Sequence, residues 1–448
     1  MFPCGDSNMS SDCERFHRRD VLTLGTTAGL MGLSLPDILR SQARASRVPQ
    51  ERTARADSII MLWLAGGPAT IDMWDLKPDA PEEIRGEFKA AETSVPGIRL
   101  SEHLSKVGQT AKHLAVVRSM HHTVPAHGPA TVFMTTGNKP TPAIEYPSLG
   151  SLTSKLLKVP EGVPPYVSFN DIRGQGGAAG YLGAGYNPFI VEGAGGGKNA
   201  PATLRVRGIQ LPGGFSLGQL NKRDALLRDF DDTFRKVDEK AELVSGYDAF
   251  HQKALDILRS DRTKKAFDLA AESQATRERY GTDSFGTGAL AARRLVEAGV
   301  RCVTLSLGGW DTHRGNFDSL KTRLLPTLDR VLSALVGDLA ERGMLDRTIV
   351  YCAGEFGRTP KINKTAGRDH WARSMSVVVA GGGFKRGIAF GSTDPQGMAP
   401  ASNPVTPDDL ASTVFHNLGI DPKMELQSGT GRPMTLFREG SVIEKLLA

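Results

Sequence analysis

Short, continuous apolar runs stopped by glycine recur along this chain, with helical stretches between them, and few folds accept that repeat. Ser58 to Leu64 (Ser-Ile-Ile-Met-Leu-Trp-Leu) meets Gly66-Gly67-Pro68, and Val300 to Leu307 ends at Gly308-Gly309. Thr348 to Cys352 is a third run, and Met375 to Ala380 ends at Gly381-Gly382-Gly383. Runs this short and apolar on both faces suit buried strands of a parallel sheet. Between them, Leu290, Leu295 and Val296 share a helix stopped by Gly299. Leu324, Leu325, Leu328, Val331, Leu332, Leu335, Val336 and Leu339 recur at helical spacing up to Gly343. Thr406-Pro407-Asp408-Asp409 opens a further helix with an N-cap, an early proline and acids for the dipole. The repeat predicts an α/β fold, a doubly wound, mostly parallel sheet sandwiched by helices, with functional side chains beyond the C-terminal strand ends.

The rest of the chain divides around this core. Residues 1–45 carry Arg18-Arg19, an uncharged stretch from Val21 to Leu35 and a small-x-small site at Ala43-Arg44-Ala45. The stretch is too short and too weakly apolar to span a bilayer, and it resembles a twin-arginine export signal, for which Ala43-Arg44-Ala45 offers a cleavage site. The expected location is therefore periplasmic or extracytoplasmic. Residues 46–448 are expected to form a single domain, with a polar helical insertion over about 221–280. The glycine-dense stretch Gly174 to Gly197 lacks the Gly-Lys-Ser/Thr of a phosphate loop and is expected to be a rim loop.

Charge and cysteines exclude several functions. Lys plus Arg exceeds Asp plus Glu by 55 to 49, and the first 45 residues hold five of each sign, so the +6 belongs to the remainder. The cations are interspersed with acids and form no basic arm, which argues against nucleic acid. Cys4, Cys13, Cys302 and Cys352 have no metal-site or haem spacing.

Polar residues converge where the strands end. Asp72 and Asp75 follow the first strand, and His121, His122 and His127 follow a later element. Asp311 and His313 follow the Val300 strand, Glu355 follows the Thr348 strand, and Asp369-His370 completes the set. Imidazole and carboxylate at one sheet edge suit zinc, manganese or iron. The candidate metal ligands are Asp72, Asp311, His313, Glu355, Asp369 and His370, with His127 and Glu355 as candidate catalytic residues. Arg358 and Arg368 are candidate anion binders.

Four segments carry a family resemblance: Leu64-Ala-Gly-Gly-Pro-Ala-Thr-Ile-Asp72, Gly308-Gly-Trp-Asp-Thr-His313, Gly354-Glu-Phe-Gly-Arg-Thr-Pro360 and Gly367-Arg-Asp-His-Trp371. They resemble the domain-of-unknown-function family 1501, exported bacterial proteins related to the sulfatase and alkaline phosphatase superfamily. The resemblance implies an alkaline-phosphatase-like sandwich and a metal-dependent hydrolase of phosphate or sulfate esters. It implies zinc or manganese, a small anionic ester or sulfated glycan as ligand, and an exported protein partner. His127-Gly-Pro-Ala-Thr-Val-Phe-Met-Thr-Thr-Gly137 looks like the sulfatase signature, but His127 stands where that signature has its nucleophile and Thr131 where it has an arginine. Gly66-Gly67 replaces the paired metal-binding aspartates, and Glu355-Phe356-Gly357 replaces Asp-His-Gly. A metal-bound hydroxide is then the implied nucleophile. The alternative is a non-catalytic or divergent member that binds a sulfated or phosphorylated glycan or a protein.

Overall fold

From Ser58 to Leu64 every residue of strand β1 (Ser58–Ala65) is buried. Successive side chains point to opposite faces, and each face meets its own apolar mass. Ile60, Leu62 and Leu64 pack with Leu290, Leu295, Leu328 and Leu335, while Ile59, Met61 and Trp63 pack with Met134, Leu149, Leu410 and Phe415. A sheet buried on both faces needs helices on both.

The computed structural model describes residues 53–169, 177–194, 203–206, 260–429 and 431–448. The expected export segment and residues 221–259 of the expected insertion lie outside them. Thr53–Ala448 clusters as one compact unit. Among the described residues no helix is long and apolar enough to cross a membrane.

After β1 come β2 (Leu114–Met120), β3 (Tyr166–Phe169), β4 (Phe189–Ala194), β5 (Thr203–Val206), β6 (Cys302–Gly308), β7 (Thr348–Ala353), β8 (Met375–Ala380) and β9 (Ile388–Phe390). They form one sheet in the order β9, β2, β8, β7, β1, β6, β3, β4, β5. β1 lies between β6 and β7, parallel to both. β8 runs antiparallel to β7 and β2, and β5 runs antiparallel to β4. The longest described helices are α1 (His127–Thr136), α2 (Leu149–Leu156), α3 (Ser284–Glu297), α4 (Leu325–Glu341) and α5 (Pro407–Asn417). α1, α2 and α5 contribute to the Trp63 face, and α3 and α4 to the Leu62 face. The expected sandwich, doubly wound and mostly parallel, is the observed one.

Two expectations are corrected. The glycine-dense stretch is not only a rim loop, because β4 lies within it and extends the sheet beside β3. β8 is reversed, so Gly381 lies against Leu345 and Thr348 at the opposite sheet edge. It is the N-terminal end of β8 that approaches the other strand ends, where Gly357 packs against Ser374 and Met375. Within 260–280 the expected helices form at Asp261–Phe267 and Gln274–Tyr280. This region is tied to α3 and α4 by buried polar contacts. Tyr280 donates to Asp338 at 2.9 Å, and Arg293 pairs with Glu272 at 2.8 Å and Asp338 at 3.0 Å.

Candidate metal centre

Glycines at the end of β1 let the neighbouring strand ends close over it. Gly66 has φ +118°, and a Cβ there would sit 2.4 Å from the Asp311 amide nitrogen. Backbone of that kind is easily reached only by glycine. The approach brings Asp311, three residues beyond β6, to the same edge as Glu355, two residues beyond β7. The Gly66 N–H donates to Glu355 Oε1 at 2.9 Å, which ties the β7 loop to the β1 turn. α1 begins at His127, and His370 lies on a two-residue strand paired antiparallel with Gly357–Arg358.

Three imidazoles surround Asp311, and each is held from behind. His127 Nδ1–H donates to Glu355 Oε1 at 2.6 Å, His313 Nδ1–H to Asp369 Oδ1 at 2.7 Å, and His370 Nδ1–H to the Pro125 carbonyl at 2.9 Å. These oxygen partners assign the tautomers, since an ionised carboxylate and a carbonyl only accept. The three Nε2 lone pairs are left facing inward. They lie 3.4 Å (His127), 3.1 Å (His313) and 3.3 Å (His370) from Asp311 carboxylate oxygens. His313 Nε2 and His370 Nε2 stand 2.9 Å apart. Two acceptors that close need a cation or a proton between them. One ligand atom each from His127, Asp311 and His370 falls within 4.8 Å of the other two, close enough for the three to share one ion. Histidine anchored through its second nitrogen to a carboxylate or carbonyl is the arrangement that orients metal ligands.

The electrostatics suit such a role. Burial acts to raise the Asp311 carboxyl, but the hydrogen bond and charge of the Arg358 guanidinium outweigh it and hold it down at about 2. Asp311 is therefore an anion throughout the physiological range. The Glu355 hydrogen bond raises the His127 imidazole, while burial lowers His370. Among the described residues, Glu355 Oε2 is buried and has no hydrogen-bond partner. Asp311, His313 and His127 are open to solvent, with side chains 46%, 41% and 38% exposed, so the centre can be reached.

A family model described as Protein of unknown function (DUF1501) matches residues 56–447. The chain belongs to the DUF1501 family. No curated protein matches it. Among solved structures this DUF1501 chain is similar to Ps i-CgsB in complex with k-i-k-neocarrahexaose, at 12% identity and TM-score 0.38, over 82% of this chain and 72% of that one. It is similar to the PsFucS1 sulfatase from Pseudoalteromonas sp., at 11% identity and TM-score 0.35, over 87% and 72%. It is also similar to a variant of the TAB5 alkaline phosphatase with Mg bound in the M3 site, at 12% identity and TM-score 0.37, over 82% and 99%.

Not every expected residue of this DUF1501 chain joins the centre. His127, Asp311, His313 and His370 converge. Asp369 and Glu355 stand behind them, each spending a carboxylate oxygen on an imidazole N–H. Asp72 is engaged elsewhere: it is 1% exposed, and both of its oxygens are taken by Arg368 at 2.7 and 2.8 Å, with a further bond from Asn316 at 2.8 Å. Asp72 and Arg368 therefore saturate each other and serve neither a metal nor an external anion. Arg368 spends its other donors on the carbonyls of Ile84, Thr359 and Pro360. Arg358 is likewise buried, giving its donors to the carbonyls of Gly66, Gly67, Trp310 and Arg368 and to Asp311. It tunes Asp311, and its side chain is wholly shielded from solvent.

Two contributors, the Pro125 carbonyl and Asn363, escape sequence reasoning, and the part played by His122 differs from that of a ligand. The Pro125 carbonyl that fixes His370 is backbone and leaves no residue-type signal. His122 accepts from the Val124 N–H and donates to the Glu355 carbonyl at 2.7 Å, so it braces the loop that carries Glu355. Asn363 bonds the His313 carbonyl and Asp369 and accepts from the Thr365 and Gly367 amides. The turn-forming stretch Asn363-Lys-Thr-Ala-Gly367 was its only signal.

Proposed function

We propose that this chain is an exported, metal-dependent hydrolase of phosphate or sulfate esters. The observation that carries the reading is the convergence of three inward Nε2 lone pairs on the ionised Asp311, each ring anchored through Nδ1–H. Three imidazole nitrogens and one carboxylate suit zinc or manganese; magnesium prefers an all-oxygen set. The residues fit such an ion, which supplies Lewis acidity toward an ester oxygen when bound.

The chain's own groups do the rest. Arg358 keeps Asp311 ionised, while Glu355 and Asp369 hold the proton of His127 and His313 at Nδ1 and keep each Nε2 free. α1 starts at His127, so its positive N-terminal end lies beside the centre, where an anionic group is stabilised. An imidazole occupies the place that the resembling signature gives its nucleophile. The described thiols, Cys302 and Cys352, are sealed in the sheet and pushed by burial to about 12. The proposal therefore assigns attack on the ester to water. Export is proposed from Arg18-Arg19 and the uncharged stretch behind it.

The test is activity of the metal-loaded mature chain on aryl phosphate and aryl sulfate, beside His313→Ala and His370→Ala. Hydrolysis by the parent and its loss in both variants supports the reading. Binding of a sulfated polysaccharide that survives metal removal, with no esterase activity, overturns it in favour of a binding protein.

A further inference from the structure

With Arg358 and Arg368 both spent inside the protein, the proposed ester group needs a different cation, and the fold presents one. Arg323 is exposed at the end of β6. Its guanidinium fills the space left by the missing side chain of Gly309: a Cβ there would lie 2.6 Å from Nη2 and 3.0 Å from Nη1. Gly309 has φ +99° and precedes the proposed ligand Asp311 by two residues. Two residues of extended chain span at most about 7 Å, so Arg323 stands at the edge of the centre. Its one recorded hydrogen bond runs from Nη1 to the Gly308 carbonyl at a long 3.5 Å. A Cβ on Gly308 would meet nothing within 4 Å, so the space beside this strand end is open.

The backbone beneath Arg323 is unusual, and its cause is legible. Leu320–Leu324 is a single π turn between the short helix Asn316–Ser319 and α4. Pro326, near the start of α4, has no N–H to offer the carbonyl four residues back, and its ring crowds that carbonyl. The ladder therefore loosens by one residue over this stretch. Such single π turns inside helices are rare and concentrate at functional sites. Here the turn carries the one arginine that lies over Gly308-Gly309.

We infer that Arg323 is the oxyanion-binding residue of this site, its planar fork gripping two oxygens of a phosphate or sulfate group held at the edge of the centre. The inference rests on the hydrolase reading for its substrate but not for its test. Guanidinium matches such groups bidentately where an ammonium acts as a point charge. Arg314, exposed beside His313 but not seated over a glycine, serves as the control.

The experiment titrates inorganic phosphate and inorganic sulfate into the full mature chain by calorimetry, with zinc or manganese present and again with chelator. Arg323→Ala is expected to weaken anion binding at least tenfold, Arg323→Lys to restore part of it, and Arg314→Ala to change it less than threefold. Metal stoichiometry stays at the parent value in all three. Equal anion affinity in the parent and Arg323→Ala overturns the inference, as does absence of anion binding in the parent. Arg323-dependent anion binding without metal binding keeps the inference and removes the metal reading instead.

Discussion

Asp369 acts on the centre through His313, taking its Nδ1–H at 2.7 Å and being drawn down in pKa by that bond. Asp369→Ala removes the accepting carboxylate and frees the ring to turn. Zinc affinity is expected to fall about 10- to 100-fold, as for other groups that orient metal-binding histidines. Calorimetry measures it, and an unchanged affinity would remove Asp369 from the account. Asp72 predicts the opposite pattern. Asp72→Ala strands the buried Arg368 charge and is expected to cost about 3–5 kcal/mol in denaturant unfolding, while the folded protein binds metal with parental stoichiometry. The ligand types at Asp311, His313 and His127 were legible in the sequence because each follows a glycine-punctuated strand or opens a helix, and His370 because it sits beside Asp369 in a short polar segment. The inward turn of Arg358 and Arg368 was not, because Gly-Arg-Thr-Pro and Gly-Arg-Asp-His look alike whether the guanidinium faces solvent or a carbonyl cluster.

Elements show the same division between what a pattern encodes and what packing decides. β1, β6 and β7 were readable because an apolar run buried on both faces has few other uses. The direction of β8 was not, since Met-Ser-Val-Val-Val-Ala fits a buried strand run either way, and direction is set by partners far away in sequence. β4 was hidden because its Phe-Ile-Val run is short and embedded among glycines. Between α3, α4 and Gln274–Tyr280, a network of Arg293, Glu272, Asp338 and Tyr280, joined at its exposed rim by Arg342, adds to the apolar packing. Burial acts to raise Asp338, but the Arg342 hydrogen bond and the Arg293 charge outweigh it and leave the carboxyl below its ordinary value. A carboxyl depressed in the folded state adds stability that is present above its unfolded value near 3.9 and is lost as pH falls below it. Asp338→Asn is therefore expected to lower stability at pH 7 and to flatten its fall below about pH 4. Urea midpoints across pH 7 to 3 test this, and parallel curves for parent and variant would contradict it.

At the scale of the whole molecule, the centre exists because one sheet edge gathers groups from four distant stretches. Asp311 and His313 come with β6, Glu355 with β7, His127 with α1, and Asp369 and His370 with the ribbon that precedes β8. The glycine turns at Gly66 and Gly309 allow these pieces to close on one another, and the doubly wound sheet, legible in the chain's repeat, supplies the common edge. What the repeat does not encode is which polar groups meet across that edge and which are consumed in bracing it. The claim on which the rest depends is that the three inward imidazoles and Asp311 hold a divalent ion. Equilibrium dialysis of the full chain against zinc and against manganese, with metal content read by mass spectrometry, tests it most directly. The account predicts about one tightly held ion per chain and its loss in both His313→Ala and His370→Ala; a parent that stays metal-free, or variants that bind as much as the parent, would contradict it.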